Sequence, residues 1–413
     1  MSKAVYSLGC GDRLGRQGKA QLAAYVEAAR VGIEVSPVWN KSDREHLTVH
    51  TEPLSVRVEA DEAVKALGWA RPYFVDADHI SLKNVDGFID SSDFFTMDVA
   101  DSIGRAAPAE DVAAFVESMA GYAGDMILPG IAEPLAVTEN DLRAIAGKYL
   151  FAVQEAGRIY RHIKARKEGG FAVEISMDET DDPQTPVDLL FILAMVAQEG
   201  IPVDTIAPKF SGRFNKGVDY AGDPARFERE FELDVAALQF AVENLGLNPG
   251  LRLSIHTGSD KFSIYPAMNR TIKKFGTGLH VKTAGTTWLE EVIGLAEAGG
   301  DGLDVAKKIY VHALARYDEL AAPYTAVIDI DPARLPSAEA VSAWSSLQYV
   351  NALRHDDSCP DYHPGFRQLV HLAYKVTYEL GDEYLNASEK HAEIIGKNVT
   401  KNLLERHILP IFG

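Results

Sequence analysis

Phe171-Ala172-Val173-Glu174-Ile175-Ser176-Met177-Asp178, the acidic loop Glu179-Thr180-Asp181-Asp182, and Thr185-Pro186-Val187-Asp188 running into the apolar stretch 189–196 and Gly200 make one strand, loop and helix in succession. The opening run is short and rich in apolar and β-branched residues, which predicts a strand. Thr185 reads as an N-cap, Pro186 as the first helical residue and Asp188 as the acid of a capping box, while Gly200 ends the helix. The acidic loop lacks the glycine and the distal glutamate of a calcium-binding EF-hand, so it reads as a polar connection with Asp178 alone near a site.

The pattern recurs. Candidate strands lie at 5–8, 33–36, 73–76, 171–175, 204–207, 251–255, 278–281 and 324–328, with helical periodicity over 19–29, 141–167, 227–244, 288–298 and 302–317. Strands alternating with helices predict a parallel sheet, and eight of them predict a (β/α)8 barrel, an α/β TIM-like fold whose chemistry sits at the carboxyl ends of the strands. The competing open, doubly wound sheet would advertise a dinucleotide turn. Gly9-Cys10-Gly11-Asp12-Arg13-Leu14-Gly15 places its third glycine one position late for that fingerprint. No linker of distinct composition divides the chain, so 1–413 reads as one elaborated barrel, with 101–150 as an insertion or lid.

Composition narrows the function. The 413 residues carry 41 basic and 60 acidic side chains, a formal charge of −19, which disfavours nucleic acid and anionic membrane surfaces as partners. The longest apolar run, 189–197, is far short of the ~20 residues that cross a bilayer. Cys10 and Cys359 cannot build a disulfide framework and suit a reducing compartment; with no signal-peptide pattern at the amino terminus, a cytoplasmic protein is expected.

Strand parity then selects candidates. Glu174, Ser176 and Asp178 share one face, as do Ser254, His256 and Gly258, and His280, Lys282 and Ala284; Lys209 shares the parity of Ala207. Four consecutive strands thus turn titratable groups toward a common axis, where isolated charges persist only if paired, metal-bound or wet. The third run adds Asp76, Asp78 and His79, a carboxylate and histidine cluster suited to zinc, nickel, manganese or iron. Its parity sets His79 opposite the two acids, so His79 reaches the lumen only where the chain leaves the strand. His355, Asp329 and Asp331 read as loop caps or solvated charges. The loops 209–216 and 258–262 are rich in cations and hydroxyls, which suits a small polyhydroxylated anion such as a sugar acid.

The strings 171–179, Ala207-Pro208-Lys209-Phe210, Ser254-Ile255-His256-Thr257-Gly258-Ser259-Asp260-Lys261-Phe262 and Leu279-His280-Val281-Lys282-Thr283-Ala284-Gly285-Thr286-Thr287-Trp288 resemble the tagaturonate epimerase family, most densely over 171–291. The resemblance implies an isomerase that interconverts tagaturonate and fructuronate at C4 with a divalent metal cation and no organic cofactor. It implies His79, His256 and His280 as metal ligands, Asp78 as proton acceptor and Glu174 as proton donor or fourth ligand. Lys209, Asp260 and Lys282 would then hold hydroxyls and the carboxylate. C4 is β to the ketone and its hydrogen is not acidic, so the expected route is retro-aldol cleavage of C3–C4, rotation and re-addition. The other readings are a Schiff-base aldolase using Lys282 or Lys209, a C4-epimerase of a neutral ketohexose, and a non-catalytic sugar-acid binding protein.

Overall fold

The computed structural model describes residues 5–283 and 285–413; residues 1–4 and Ala284, one of the lumen-facing candidates, lie outside the described residues. Eight parallel strands close into a barrel: β1 Tyr6–Cys10, β2 Ser36–Ser42, β3 Phe74–Ile80, β4 Phe94–Asp98, β5 Ala172–Ser176, β6 Thr205–Ala207, β7 Arg252–His256 and β8 Leu279–Lys282. Each strand pairs with its neighbour in sequence and β8 pairs back onto β1, which leaves the barrel without an open edge.

Two expected strands differ. Segment 324–328 is not the eighth strand; it lies largely in the 3-10 helix Ala322–Val327, because β8 already closes the ring on β1. The count of eight is completed instead by β4, between β3 and β5, whose sequence Phe94-Phe95-Thr96-Met97-Asp98 has the right alternation. Only the 3-10 turn Val85–Gly87 stands between β3 and β4, so no helical pattern announces a new unit there. The second run also shifts along the chain, from 33–36 to Ser36–Ser42.

Helices follow the other strands: α1 Gly18–Arg30, α2 Leu54–Leu67, α3 Glu139–Arg166, α4 Pro186–Glu199, α5 Pro224–Leu245, α6 Tyr265–Phe275 and α7 Thr286–Ala298. At α4 the expected signals are all present: Thr185 and Asp188 form the capping box and Gly200 takes a left-handed conformation at φ 72°. Between β4 and α3 the chain forms the helix Ala109–Met119 and a hairpin of Gly124–Met126 with Leu135–Val137. Beyond α7 come further helices, of which Ala392–Lys401 packs on both α1 and α7.

The outward strand faces supply the main core. Val173, Ile175, Leu253, Ile255 and Val281 are buried against helix residues such as Leu189, Leu193 and Val292. Inside the barrel, Val38, Phe94, Ala172 and Phe74 form a separate apolar plug at the amino-terminal end. Polar layers are stacked above it toward the strands' carboxyl ends. No described helix is long and apolar enough to cross a membrane.

Candidate functional site

The lumen above the plug holds Asp76 from β3, Thr96 from β4, Glu174 from β5, Thr205 from β6 and Lys282 from β8, all buried. Lys282 crosses to reach Asp76 at 2.6 Å, Asp78 at 2.9 Å and Glu174 at 3.0 Å, and it also donates to Thr96. Gly9, its register partner on β1, makes that crossing possible: a Cβ on Gly9 would stand 3.0 Å from Lys282 Cγ and 3.2 Å from its Cα. Thr205 donates to Glu174 Oε2 at 2.6 Å, and Thr96 lies 3.0 Å from both oxygens of Asp76.

One layer higher, two histidines and an acid converge. His79 belongs to β3 but sits at φ 53°, where the β3–β4 register slips between Ala77 and Ile80. This bulge re-aims a side chain that regular alternation would turn outward, so His79 enters the lumen without the strand ending. Its Nδ1 donates to Asp78 Oδ1 at 2.9 Å, while Nε2 has no hydrogen-bond partner and lies 3.6 Å from Asp178 Oδ1. His256 mirrors it: Nε2 donates to Glu174 Oε1 at 2.9 Å, and the unpartnered Nδ1 stands 3.0 Å from the same Asp178 oxygen, off the direction of a hydrogen bond.

Each imidazole thus has one N–H held by a carboxylate, which favours one tautomer and leaves the other nitrogen beside the same Asp178 oxygen. His79, Asp178 and His256 offer ligand atoms all within 4.8 Å of one another. The donor set, two imidazoles and a carboxylate backed by Asp78 and Glu174, fits a divalent transition metal.

The electrostatics agree with such a site. Burial pushes Glu174 and Asp78 up, but Lys282 and the histidines outweigh it and hold both carboxyls well below their usual range. Burial lowers His256, yet Asp178 and Glu174 bring it to about 9, and Asp78 with Asp178 likewise raises His79. A field that favours positive charge on the imidazoles also favours a cation between them. Asp76 is the exception: burial, with Asp78 and Glu174 beside it, lifts it to about 7 despite Lys282. Lys282 is itself raised well above the usual lysine range; burial opposes this and its three carboxylate partners prevail.

The other expected site residues are placed differently. His280 lies deeper, with Nδ1 2.8 Å from Ser7 Oγ and its ring 5.2 Å from Phe94, and it is not among the converging ligands. Burial lowers it to about 3, and its Nε2 has no hydrogen-bond partner. Lys209 lines the mouth and donates to the Thr180 carbonyl. Asp260 does not line the cavity. It is fully buried behind the β7 loop, taking Arg367 at 2.7 Å, His355 at 3.1 Å and Thr286 at 3.0 Å, with His407 at 3.3 Å. His355, read from sequence as a loop residue, belongs to this buried hub, and Asp331 caps a 3-10 turn.

A cavity of about 420 Å³ opens above the cluster. Its floor includes Asp78, His79, Asp178, His256 and Lys282, and its walls carry Arg13, Arg44, Lys209, Arg213 and Lys216. Segment 323–327, the displaced strand, covers one side through Pro323, Tyr324, Ala326 and Val327; none of 101–150 is among the described lining residues. Sequence reasoning passed over Thr96, Arg44 and Tyr324. The capping box Ser42-Asp43-Arg44-Glu45, directly after β2, was a legible signal for Arg44.

Comparison with known proteins supplies an independent finding. A family model described as UxaE, tagaturonate epimerase, matches residues 1–408. A tagaturonate/fructuronate epimerase of Thermotoga maritima is 27% identical over 417 positions, covering 97% of this chain and 80% of that protein. Two crystal structures of a fructuronate-tagaturonate epimerase, UxaE, from Cohnella laeviribosi share the fold. A glycerol complex has a TM-score of 0.82 at 23% identity, covering 100% of this chain and 82% of that one. The native form gives 0.81 at 24% identity with the same coverage.

Proposed function

The chain belongs to the tagaturonate epimerase family and is an epimerase; from this we propose that it interconverts D-tagaturonate and D-fructuronate by inverting C4, with a divalent metal held by His79, His256 and Asp178. The observation that carries the metal assignment is the pair of buried, unpartnered imidazole nitrogens standing 3.6 and 3.0 Å from one Asp178 oxygen. A bound cation would supply Lewis-acid stabilisation to negative charge developing on the ketone oxygen.

The chain's own groups carry the proton steps. Asp78, held ionised, accepts the proton of the C4 hydroxyl as the C3–C4 bond breaks. The bonding pair stays on C3, and C4 becomes an aldehyde carbon. Rotation of the aldehyde fragment, re-formation of the bond on its other face and protonation of the new C4 oxygen complete an inversion with no net oxidation or reduction. Glu174 serves as the donor. Because it is itself held ionised, the proton it gives comes from Asp76, whose elevated value suits a reservoir and which Thr96 links to Glu174 through contacts of 3.0 and 3.2 Å; the proton held by Asp78 then passes back to Asp76 by way of Lys282, which touches both acids, so the cycle closes with no net proton transfer. Lys209 and Lys282 would hold substrate oxygens, and Asp260 would act by fixing the β7 loop.

A Schiff-base mechanism requires a neutral amine, and Lys282 is bound to three carboxylates that keep it charged. His280 as a third histidine ligand is the second reading, favoured by its unpartnered Nε2. Metal analysis of the purified protein, with an NMR assay on D-tagaturonate, tests the activity. Metal titration of Asp178→Ala and His280→Ala separates the two ligand sets: the first is expected to lose metal affinity at least tenfold and the second to retain it. Turnover that survives complete metal removal would end the metal-assisted reading.

A further inference from the structure

Of the cations around the cavity, most are committed to protein acceptors. Arg13 is paired with Glu45, Lys209 donates to the Thr180 carbonyl, and Arg213 donates to the Ile328 carbonyl at 3.0 Å. Lys216 is not: among the described residues no carboxylate lies within ion-pair distance of its ammonium, which stands 5.3 Å over the ring of Tyr324. Arg44 approaches the same ring at 5.8 Å, nearer the surface.

The backbone around Lys216 is unusually fixed for a loop. Its N–H donates to Val327 at 2.8 Å and its carbonyl accepts from Gln368 Nε2 at 3.0 Å. Gly217, in a left-handed conformation at φ 78°, donates to Ser259 Oγ at 2.9 Å and accepts from Arg367, which is anchored on Asp260. Three separate parts of the chain therefore fix the backbone from which this ammonium reaches into the cavity. Burial, with Arg13 close by, pulls it down to about 8. Asp178 and Glu179 act on it only from across the cavity, outside ion-pair contact; an enclosed cation so placed is unfavourable, and a ligand anion in direct contact would remove the penalty.

We propose that Lys216, flanked by Arg44 and Tyr324, is the subsite for the carboxylate of the sugar acid and sets the preference for a charged over a neutral substrate. This rests on the epimerase reading for the identity of the substrate, and it extends that reading to the handling of the cleaved fragment. The carboxylate belongs to the half of the molecule that becomes the aldehyde. Anchoring it at Lys216 leaves rotation about C4–C5 as the motion that presents the other aldehyde face, and it keeps the fragment bound until C3–C4 re-forms.

The test compares wild type, Lys216→Met and Lys216→Arg by KM and kcat on D-tagaturonate, and by competitive inhibition with D-gluconate against its uncharged counterpart D-sorbitol. Lys216→Met is expected to raise KM by about 30-fold or more and to weaken D-gluconate by a similar factor, with D-sorbitol unchanged and Lys216→Arg largely restored. Lys216→Gln replaces the Met variant should that one fail to fold. D-gluconate inhibiting folded Lys216→Met or Lys216→Gln as strongly as wild type overturns the subsite, as does a loss of kcat in those variants with KM and inhibition unchanged. Should wild type leave D-tagaturonate unconverted while D-gluconate binding still depends on Lys216, the epimerase reading falls and the anion subsite stands.

Discussion

At the residue scale, the centre depends on one departure from regular backbone. His79 holds a left-handed conformation that a side chain with a Cβ adopts at a penalty of about 1–2 kcal/mol, and in return its imidazole enters the lumen beside Asp78. Parity alone located Glu174, His256 and Lys282 correctly, because β5, β7 and β8 run straight. It could not decide His79, since a bulge is a property of two paired strands and β4 had not been recognised. Asp78→Asn removes the proposed proton acceptor while preserving shape. We expect kcat to fall about 10²–10⁴-fold with KM and far-ultraviolet circular dichroism little changed. A variant with wild-type kcat would reassign the base.

At the element scale, boundaries with local chemistry were legible and those decided by ring closure were not. The capping boxes at Thr185 and Thr138 mark α4 and α3 within a few residues of the expected spans. Segment 324–328 has a strand's composition, yet the barrel offers it no pairing edge, so it covers the cavity instead. Helix α7 carries a further consequence of packing. Burial among the C-terminal helices raises Glu290 to about 7, where it accepts from Asn402 at 3.0 Å. A carboxyl raised in the folded state contributes stability in full below its unfolded value near 4.5, and loses it as pH rises through 7. Glu290→Gln keeps the acceptor and removes the titration. Its melting temperature relative to wild type is expected to climb between pH 5 and 8, corresponding to at most about 3 kcal/mol. A constant difference across that range would show that Glu290 does not titrate there.

At the scale of the whole molecule, the −19 net charge and the cationic wall of the cavity coexist because one describes the total surface and the other a local field. What unites barrel and C-terminal helices is the buried hub at Asp260. Burial would raise its carboxyl, but Arg367, His355 and His407 hold it well below the usual range. Asp260→Asn leaves a buried guanidinium without its counter-charge and should cost about 3–5 kcal/mol in urea unfolding. Through Arg367 and Gly217 it should also raise KM. A stable variant with unchanged KM would detach the hub from the site.

The sequence by itself determined the barrel class, the parity of the lumen-facing residues on β5, β7 and β8, the helix caps and the family, because each rests on local periodicity, local capping or long unbroken strings. Tertiary structure decided the membership of β4, the inward turn of His79, the grouping of Asp178 with two histidines, the withdrawal of Asp260 and the exposure of Lys216 to the cavity. Those depend on strand register and on segments hundreds of residues apart meeting through ring closure, and no periodicity along one strand contains that information.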